Sequence, residues 1–293
     1  LGNIGPLASL PVMEGKAMLY DRFAELSATP ILLDELGAER FVDTVVAVSR
    51  SFGGIHLEDI RIPECFAIEA ELDRRLDKPV MHDDQHGTAT VALSALLNAC
   101  RATGLDPRTA RLGQIGLGAA GSAIARLALS WGVREVMVAD VSADAVARMC
   151  GMGAVAGDLE RVMRECDIVV ATTGRPGLIT PAMVRKGQII FALSNPDPEI
   201  EPPAAMAAGA AFAGDGRSIN NALAYPGIFR GALEVRSRSI TTEMLLAASE
   251  AIADCAQMGH LVPSPFHPTV HRGVSDAVIA AAKRAGLENT AKL

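Results

Sequence analysis

The stretch Arg111-Leu112-Gly113-Gln114-Ile115-Gly116-Leu117-Gly118-Ala119-Ala120-Gly121 decides how the chain folds. A short apolar run of strand type, Arg111–Ile115, leads directly into three glycines spaced G-x-G-x-x-G. Small residues follow and open a helix. This is the context in which the motif means dinucleotide binding, although a tight strand–helix turn without a ligand uses the same spacing. Gly116 permits the sharp turn, Gly118 lets the backbone approach a pyrophosphate at the helix N-terminus, and Gly121 lets the helix lie close on the sheet. Leu117, Ala119 and Ala120 complete the expected cofactor loop. Asp140 stands 19 residues beyond Gly121 at the end of the next strand, where a carboxylate can accept from ribose hydroxyls. Val141, Ser142 and Ala143 follow it, with Arg148 the first basic residue. A 2′-phosphate wants a nearby cation, so NAD is expected over NADP.

Working outward, strands are expected at Arg111–Ile115, Glu135–Ala139, Asp167–Ala171, Gln188–Leu193 and Ala210–Ala213. Helices lie between most of them, one opening at Thr180-Pro181, a capping residue followed by a first-turn proline. Strands alternating with helices predict an α/β fold with a doubly wound parallel sheet. Before it, the sequence suggests a helix near Gly15–Leu26, an apolar strand at Phe41–Val48 and a turn at Gly53-Gly54. A helix over Pro63–Leu76 and a long alanine-rich helix from about Thr88 follow. Leu105–Pro107 reads as a linker. Residues 1–100 are therefore expected to form part of an α/β catalytic domain, and residues 101–293 a nucleotide-binding domain. The amphipathic tail helices, Thr241–Gln257 and His271–Ala285, are expected to pack back on the catalytic part. The opening Leu1-Gly2-Asn3-Ile4-Gly5-Pro6 reads as the interior of a longer chain.

Composition narrows the function classes. With 293 residues, 49% hydrophobic and 21% charged, the chain can bury a sizeable core and is not disordered. A formal charge of −7 without a Lys/Arg run argues against nucleic acid. No apolar stretch reaches bilayer length, since Thr88–Ala99 soon meets Arg101. No secretory leader is expected. Five scattered cysteines, Cys65, Cys100, Cys150, Cys166 and Cys255, read as reduced thiols of a cytoplasmic protein.

Two acidic pairs carry the next signal: Glu58-Asp59 and Asp83-Asp84. Adjacent like charges in apolar surroundings are costly unless a cation or solvent relieves them, and carboxylate oxygens suit Mg²⁺ or Mn²⁺. Helix capping by Asp83 and Asp84 is the alternative. His82 and His86, four apart, could serve zinc, but no cysteine or third histidine lies near in sequence. Lys16 in Pro11–Ala17 is surface unless burial makes it a base. Asn195-Pro196 and Asn220-Asn221 are turn sequences, and Asn195 falls where α/β sheets place ligands, past the carboxyl end of a strand.

Together these segments resemble the malic enzyme family, specifically its small bacterial branch. Pro11–Ala17 is similar to its lysine motif, and Gly53–Ile60 with Pro63–Phe66 to its Glu-Asp motif. Asp83–Ala89 is similar to its signature, and Ala192–Pro196, Asn220–Gly231 and Pro263–Pro268 also match. The resemblance implies Lys16 as general base and Asp83 as its positioning neighbour. It implies Glu58, Asp59 and Asp84 as ligands of Mg²⁺ or Mn²⁺. Gly116–Gly121 becomes the cofactor loop, and Asn195 and Asn221 hold substrate and the nicotinamide side of the cofactor. Oxidative decarboxylation of malate to pyruvate and CO₂ with NAD(P) follows, in a homodimer or higher oligomer. Within the family, oxaloacetate decarboxylation or malolactic conversion would keep every motif; outside it, a non-catalytic nucleotide-binding module is the rival. Met81 stands where the family has Phe. The Asp140–Asp167 stretch is shorter than in most relatives and lacks their basic residues, which leaves NADP open. The family's tyrosine acid and substrate-gripping arginine lie upstream of the lysine motif, and Tyr20 and Tyr225 do not match that tyrosine. A base at Lys16 implies a pKa lowered toward working pH by the divalent cation and by burial, with Asp83 opposing that shift.

Overall fold

The computed structural model describes residues 5–34, 37–257 and 259–288; the opening Leu1–Ile4 lies outside them. Their packing groups them into two compact units. One holds the described residues through Gly87, with Asn221–Cys255 and those from Pro263 onward; the other holds Thr88–Asn220 and Ala256–Val262.

In the first unit, α1 (Pro6–Ala24) starts on a proline and buries Lys16, Tyr20 and Ala24. That spacing of four puts all three on one helix face. The stretch expected as a strand at Phe41–Val48 is instead helix, α2 (Ala38–Val48). Its β-branched residues suggest a strand, but Ala38, Phe41, Val42 and Val45 recur at helical spacing. They meet Leu57, Ile68, Leu72 and Val80 in one apolar cluster. Burial of that stripe outweighs the few tenths of a kcal/mol per residue that β-branching costs a helix. β1 (Ile55–Leu57), α3 (Glu64–Arg75) and β2 (Val80–His82) follow, the two strands pairing parallel with His56 opposite Met81. β2 is three residues long and was not expected from the sequence.

The next helix, α4 (Asp83–Thr103), begins at Asp83 and not near Thr88. Asp83 and Asp84 fill its first turn, where carboxylates suit the helix dipole, and do not cap it from outside. The passage from one unit to the other falls within this helix, between Gly87 and Thr88, and not at residues 105–107.

The second unit contains β3 (Arg111–Ile115), α5 (Ala119–Trp131), β4 (Glu135–Ala139), α6 (Ala143–Cys150), β5 (Val155–Ala156) and α7 (Leu159–Glu165). β6 (Ile168–Ala171), β7 (Ile189–Ala192), α8 (Pro202–Ala207) and β8 (Phe212–Asp215) complete it. The six strands are parallel in the order β5-β4-β3-β6-β7-β8. The order reverses between β3 and β6, and this is the switch point at which doubly wound sheets bind ligands. β6 and β7 are buried along their whole length, as central parallel strands should be. Two expectations fail here. Thr180-Pro181 opens only a single 3₁₀ turn, Pro181–Met183, whose Thr180 side chain makes no cap bond. The last strand lies two residues later than Ala210–Ala213 suggested.

The chain then returns to the first unit with α9 (Tyr225–Glu234), α10 (Thr242–Asp254) and α11 (Val270–Arg284); both α9 and α10 pack on α11. All five cysteines are free thiols, with Cys65, Cys100 and Cys166 buried. Among the described residues no helix is long and apolar enough to cross a membrane.

Candidate active site

The first unit gathers its chemistry around Lys16. The side chain is 9% exposed, and its Nζ lies 2.6 Å from Asp83 Oδ2 and 3.2 Å from Glu58 Oε1. It also stands 4.6 Å from the centre of the Tyr225 ring. Asp83 is fully buried, and its Oδ2 accepts a second bond of 2.6 Å from Asn221 Nδ2. Gly87, one turn further along α4, has to be glycine: a Cβ there would run into Asp83 Oδ1 and close on Asn221. Burial alone would lower the lysine pKa. Asp83 and Glu58 outweigh it and hold the ammonium above the ordinary lysine range. From the protein groups alone the shift therefore runs upward, because two carboxylates lie within ion-pair distance.

Glu58 is engaged on both oxygens. His56 Nε2 lies 2.9 Å from Oε2, and His56 Nδ1 lies 2.8 Å from the Tyr20 hydroxyl. Burial pushes His56 down to about 4, against the pull of Asp83, so the imidazole is neutral. Burial raises Glu58 to about 7; Lys16 opposes that rise and Asp84 adds to it. Asp59 adopts a left-handed backbone, φ 51°, and its amide donates to Asp84 Oδ2 at 2.9 Å. Burial and then Asp84 raise the Asp59 carboxyl above its usual range.

This donor set suits a hard divalent cation. Among the described residues, Glu58, Asp59, Asp83 and Asp84 bring four carboxylates into the neighbourhood of the Lys16 ammonium, and Asp83 Oδ1 is buried with no hydrogen-bond partner. Ligand atoms of His56, Glu58 and Asp83 lie within 4.8 Å of one another. Glu58 thus belongs to this group, while Asp59 and Asp84 stand beside it, joined by their own hydrogen bond. His82 and His86 do not form a pair of ligands. His86 Nε2 meets Glu69 Oε2 at 3.0 Å, and His82 Nε2 sits 3.4 Å from Asp84. Glu69 also accepts from the His82 amide at 2.6 Å and from Gln85 at 3.0 Å, so it braces the start of α4. Tyr20, His56, Tyr225 and Glu69 escaped the sequence reading. Two of them carried a signal: Tyr20 is one helical turn from Lys16, and His56 is two strand positions from Glu58.

In the second unit the glycine loop joins β3 to α5. Gly116 has φ 88°, and a Cβ on it would sit 2.7 Å from Thr172 O; a Cβ on Gly121 would collide with Gly116 O. Asp140 closes the loop, accepting from Leu117 N at 2.5 Å and Ser142 N at 2.7 Å. Asn195 lies three residues past β7 and is exposed. Buried Glu199 ties the segments that follow β6 and β7: it accepts from Thr173 N at 2.6 Å and Ser194 Oγ at 2.5 Å.

A doubly wound sheet with a glycine loop at its switch point, in a chain that also builds a lysine–carboxylate centre, defines the class of nucleotide-binding α/β proteins. The comparisons carry this further. The family model described as malic enzyme, NAD binding domain, matches residues 213–285, and that of the D-isomer specific 2-hydroxyacid dehydrogenase NAD binding domain matches residues 84–176. The chain is 55% identical over 283 residues to NAD-dependent malic enzyme 1 of Bacillus subtilis (strain 168), covering 96% of this chain and 64% of that protein. It is 41% identical to the bifunctional malic/malolactic enzyme of the same organism, covering 98% of this chain and 76% of that one. The solved malic enzyme from Pyrococcus horikoshii Ot3 superimposes with a TM-score of 0.92 at 39% identity, over all of this chain and 75% of that one. The chain belongs to the malic enzyme family. It spans 64% of the length of the first of these relatives.

Proposed function

We propose that the protein of which this chain is part oxidises malate with NAD(P) and decarboxylates it to pyruvate and CO₂. The observation that carries the reading is the buried Lys16–Asp83–Glu58 group, on a chain with a nucleotide-type glycine loop. Glu58, Asp59 and Asp84 are the residues that would hold Mg²⁺ or Mn²⁺, which supplies Lewis-acid polarisation of a bound 2-hydroxy acid. The glycine loop, Gly116–Gly121, would hold the NAD(P) that receives the C2 hydride. With a divalent cation held beside it to offset Asp83 and Glu58, Lys16 would lose its own proton and, as free amine, take the C2 hydroxyl proton. Asp83, 2.6 Å from Nζ, keeps that nitrogen in line. Asn221 holds Asp83 in turn, and Asn195 is assigned to the substrate and nicotinamide side. The C3–C4 bond breaks with loss of CO₂ to leave the enolate of pyruvate. C3 takes its proton from a general acid, the role the resemblance gives to the family's tyrosine upstream of the lysine motif.

NAD is the preferred nucleotide in this reading, because Asp140 presents a carboxylate where a 2′-phosphate would need a cation. The protein is assigned to the cytoplasm as a homodimer or higher homo-oligomer, in keeping with its unpaired thiols and its family. The test is malate-dependent NADH formation at 340 nm with Mn²⁺ in an N-terminally extended protein, as wild type and as Asp84→Ala. Loss of turnover with NAD binding retained supports the assignment; wild-type activity in the variant overturns it. The 41% identical relative described as a bifunctional malic/malolactic enzyme favours a second reading. In that case lactate accumulates from malate without net NADH.

A further inference from the structure

The Tyr20–His56 pair lies outside the roles assigned above, yet it touches one of the assigned ligands. The His56 ring is held on several sides: edge-on to Tyr20 and Tyr225, and lying along Phe229. Its two nitrogens meet two different groups, the Tyr20 hydroxyl at 2.8 Å and Glu58 Oε2 at 2.9 Å. A neutral imidazole carries one N–H. With Glu58 as a carboxylate, which only accepts, that N–H has to be on Nε2. Nδ1 is then an acceptor, and Tyr20 supplies its single proton to it. With Glu58 ionised, as a metal ligand must be, His56 Nε2–H donates to it and the Tyr20 hydroxyl donates to Nδ1, so every partner is satisfied. Glu58 is left with Lys16 on Oε1 and His56 on Oε2, its carboxylate plane fixed before any cation arrives.

We propose that Tyr20 and His56 are positioning residues for Glu58: Tyr20 holds the His56 ring in place through Nδ1, and His56 Nε2–H orients the Glu58 carboxylate toward a divalent cation. This rests on the metal reading above. It assigns to the pair an orienting role of the kind hydrogen-bonding partners of metal ligands play, one that does not involve contact with the cation.

The direct test is Mn²⁺ affinity without substrate or turnover, measured by loss of the free Mn²⁺ electron paramagnetic resonance signal on titration into this chain. His56→Leu removes the donor and should weaken Mn²⁺ by about 10- to 100-fold, the usual scale for such partners. His56→Gln keeps an N–H for Glu58 and should recover most of that loss. Tyr20→Phe keeps the ring and removes only the hydroxyl, so it should weaken Mn²⁺ in the same direction by less. NAD affinity and helical circular dichroism, measured alongside, should not move. Wild-type Mn²⁺ affinity in His56→Leu and Tyr20→Phe overturns the proposal. A loss in His56→Gln as large as in His56→Leu makes His56 itself a ligand and overturns it too. If His56→Leu does not fold, Tyr20→Phe decides alone. Failure of the unsubstituted chain to bind Mn²⁺ is a separate result, one that removes the metal reading and this proposal with it.

Discussion

The two units build their sites by opposite means. The glycine loop of the second unit is made of backbone: Gly116–Gly118 between β3 and α5 with the first residues of α5, tied to Asp140 through the Leu117 amide. The lysine centre of the first is made of side chains drawn from α1, β1 and the turn after it, the first turn of α4 and the segment before α9. Backbone sites tolerate change in most side chains but fail when a Cβ intrudes. A charged side-chain site depends on each member, because removing one leaves a buried partner without its counter-charge.

That contrast predicts a graded set of outcomes. The largest effect is expected from Lys16→Ala, which should cut malate turnover by about 10² to 10⁴-fold, the scale of a positioned general base, with NAD affinity unchanged. Steady-state rates beside an NAD titration check it, and a rate near wild type would remove Lys16 from the chemistry. Next is Gly87→Ala, where the added methyl runs into Asp83 Oδ1. Displacing that carboxylate should cost about 10²-fold in kcat while sparing NAD binding. Gly121→Ala should do the reverse. Its Cβ collides with Gly116 O, and overpacking of about 1–3 kcal/mol falling on the cofactor loop corresponds to about a 5- to 150-fold loss of NAD affinity, with Mn²⁺ affinity intact. If either glycine substitution disturbs both ligands equally, the two sites are not independent as described. The smallest effect is expected at Asp140→Ala, which should shift the NAD/NADP ratio of kcat/KM by about tenfold toward NADP, or about 1.4 kcal/mol. An unchanged ratio would leave Asp140 with its loop-closing bonds alone.

Legibility in the sequence followed the same division. β3 and β4 stand where their apolar runs placed them, because a central parallel strand is buried on both faces and announces itself by composition. Glu58, Lys16 and Asp83 could be singled out as residues, but nothing in their spacing showed that Lys16 would lie within ion-pair distance of both carboxylates. Phe41–Val48 was misread for a related reason. Local β-propensity points one way, and the apolar cluster against α3 and β2, formed from residues far along the chain, decides the other.

By itself the sequence determined what is local: the parallel sheet, the glycine turn that only residues without a Cβ can make, and the inventory of acids around one lysine. The tertiary structure alone decided what those acids do to one another. Glu58 sits between Lys16 and His56, Tyr20 fixes a histidine that no motif marks, Asp83 bridges Lys16 and Asn221, and His86 turns to Glu69 instead of a metal. Hydrogen-bond partners are set by distances of a few ångströms between segments as far apart as Asp83 and Asn221. Burial then decides which of the groups stay charged, and neither quantity is carried by the order of residues along the chain.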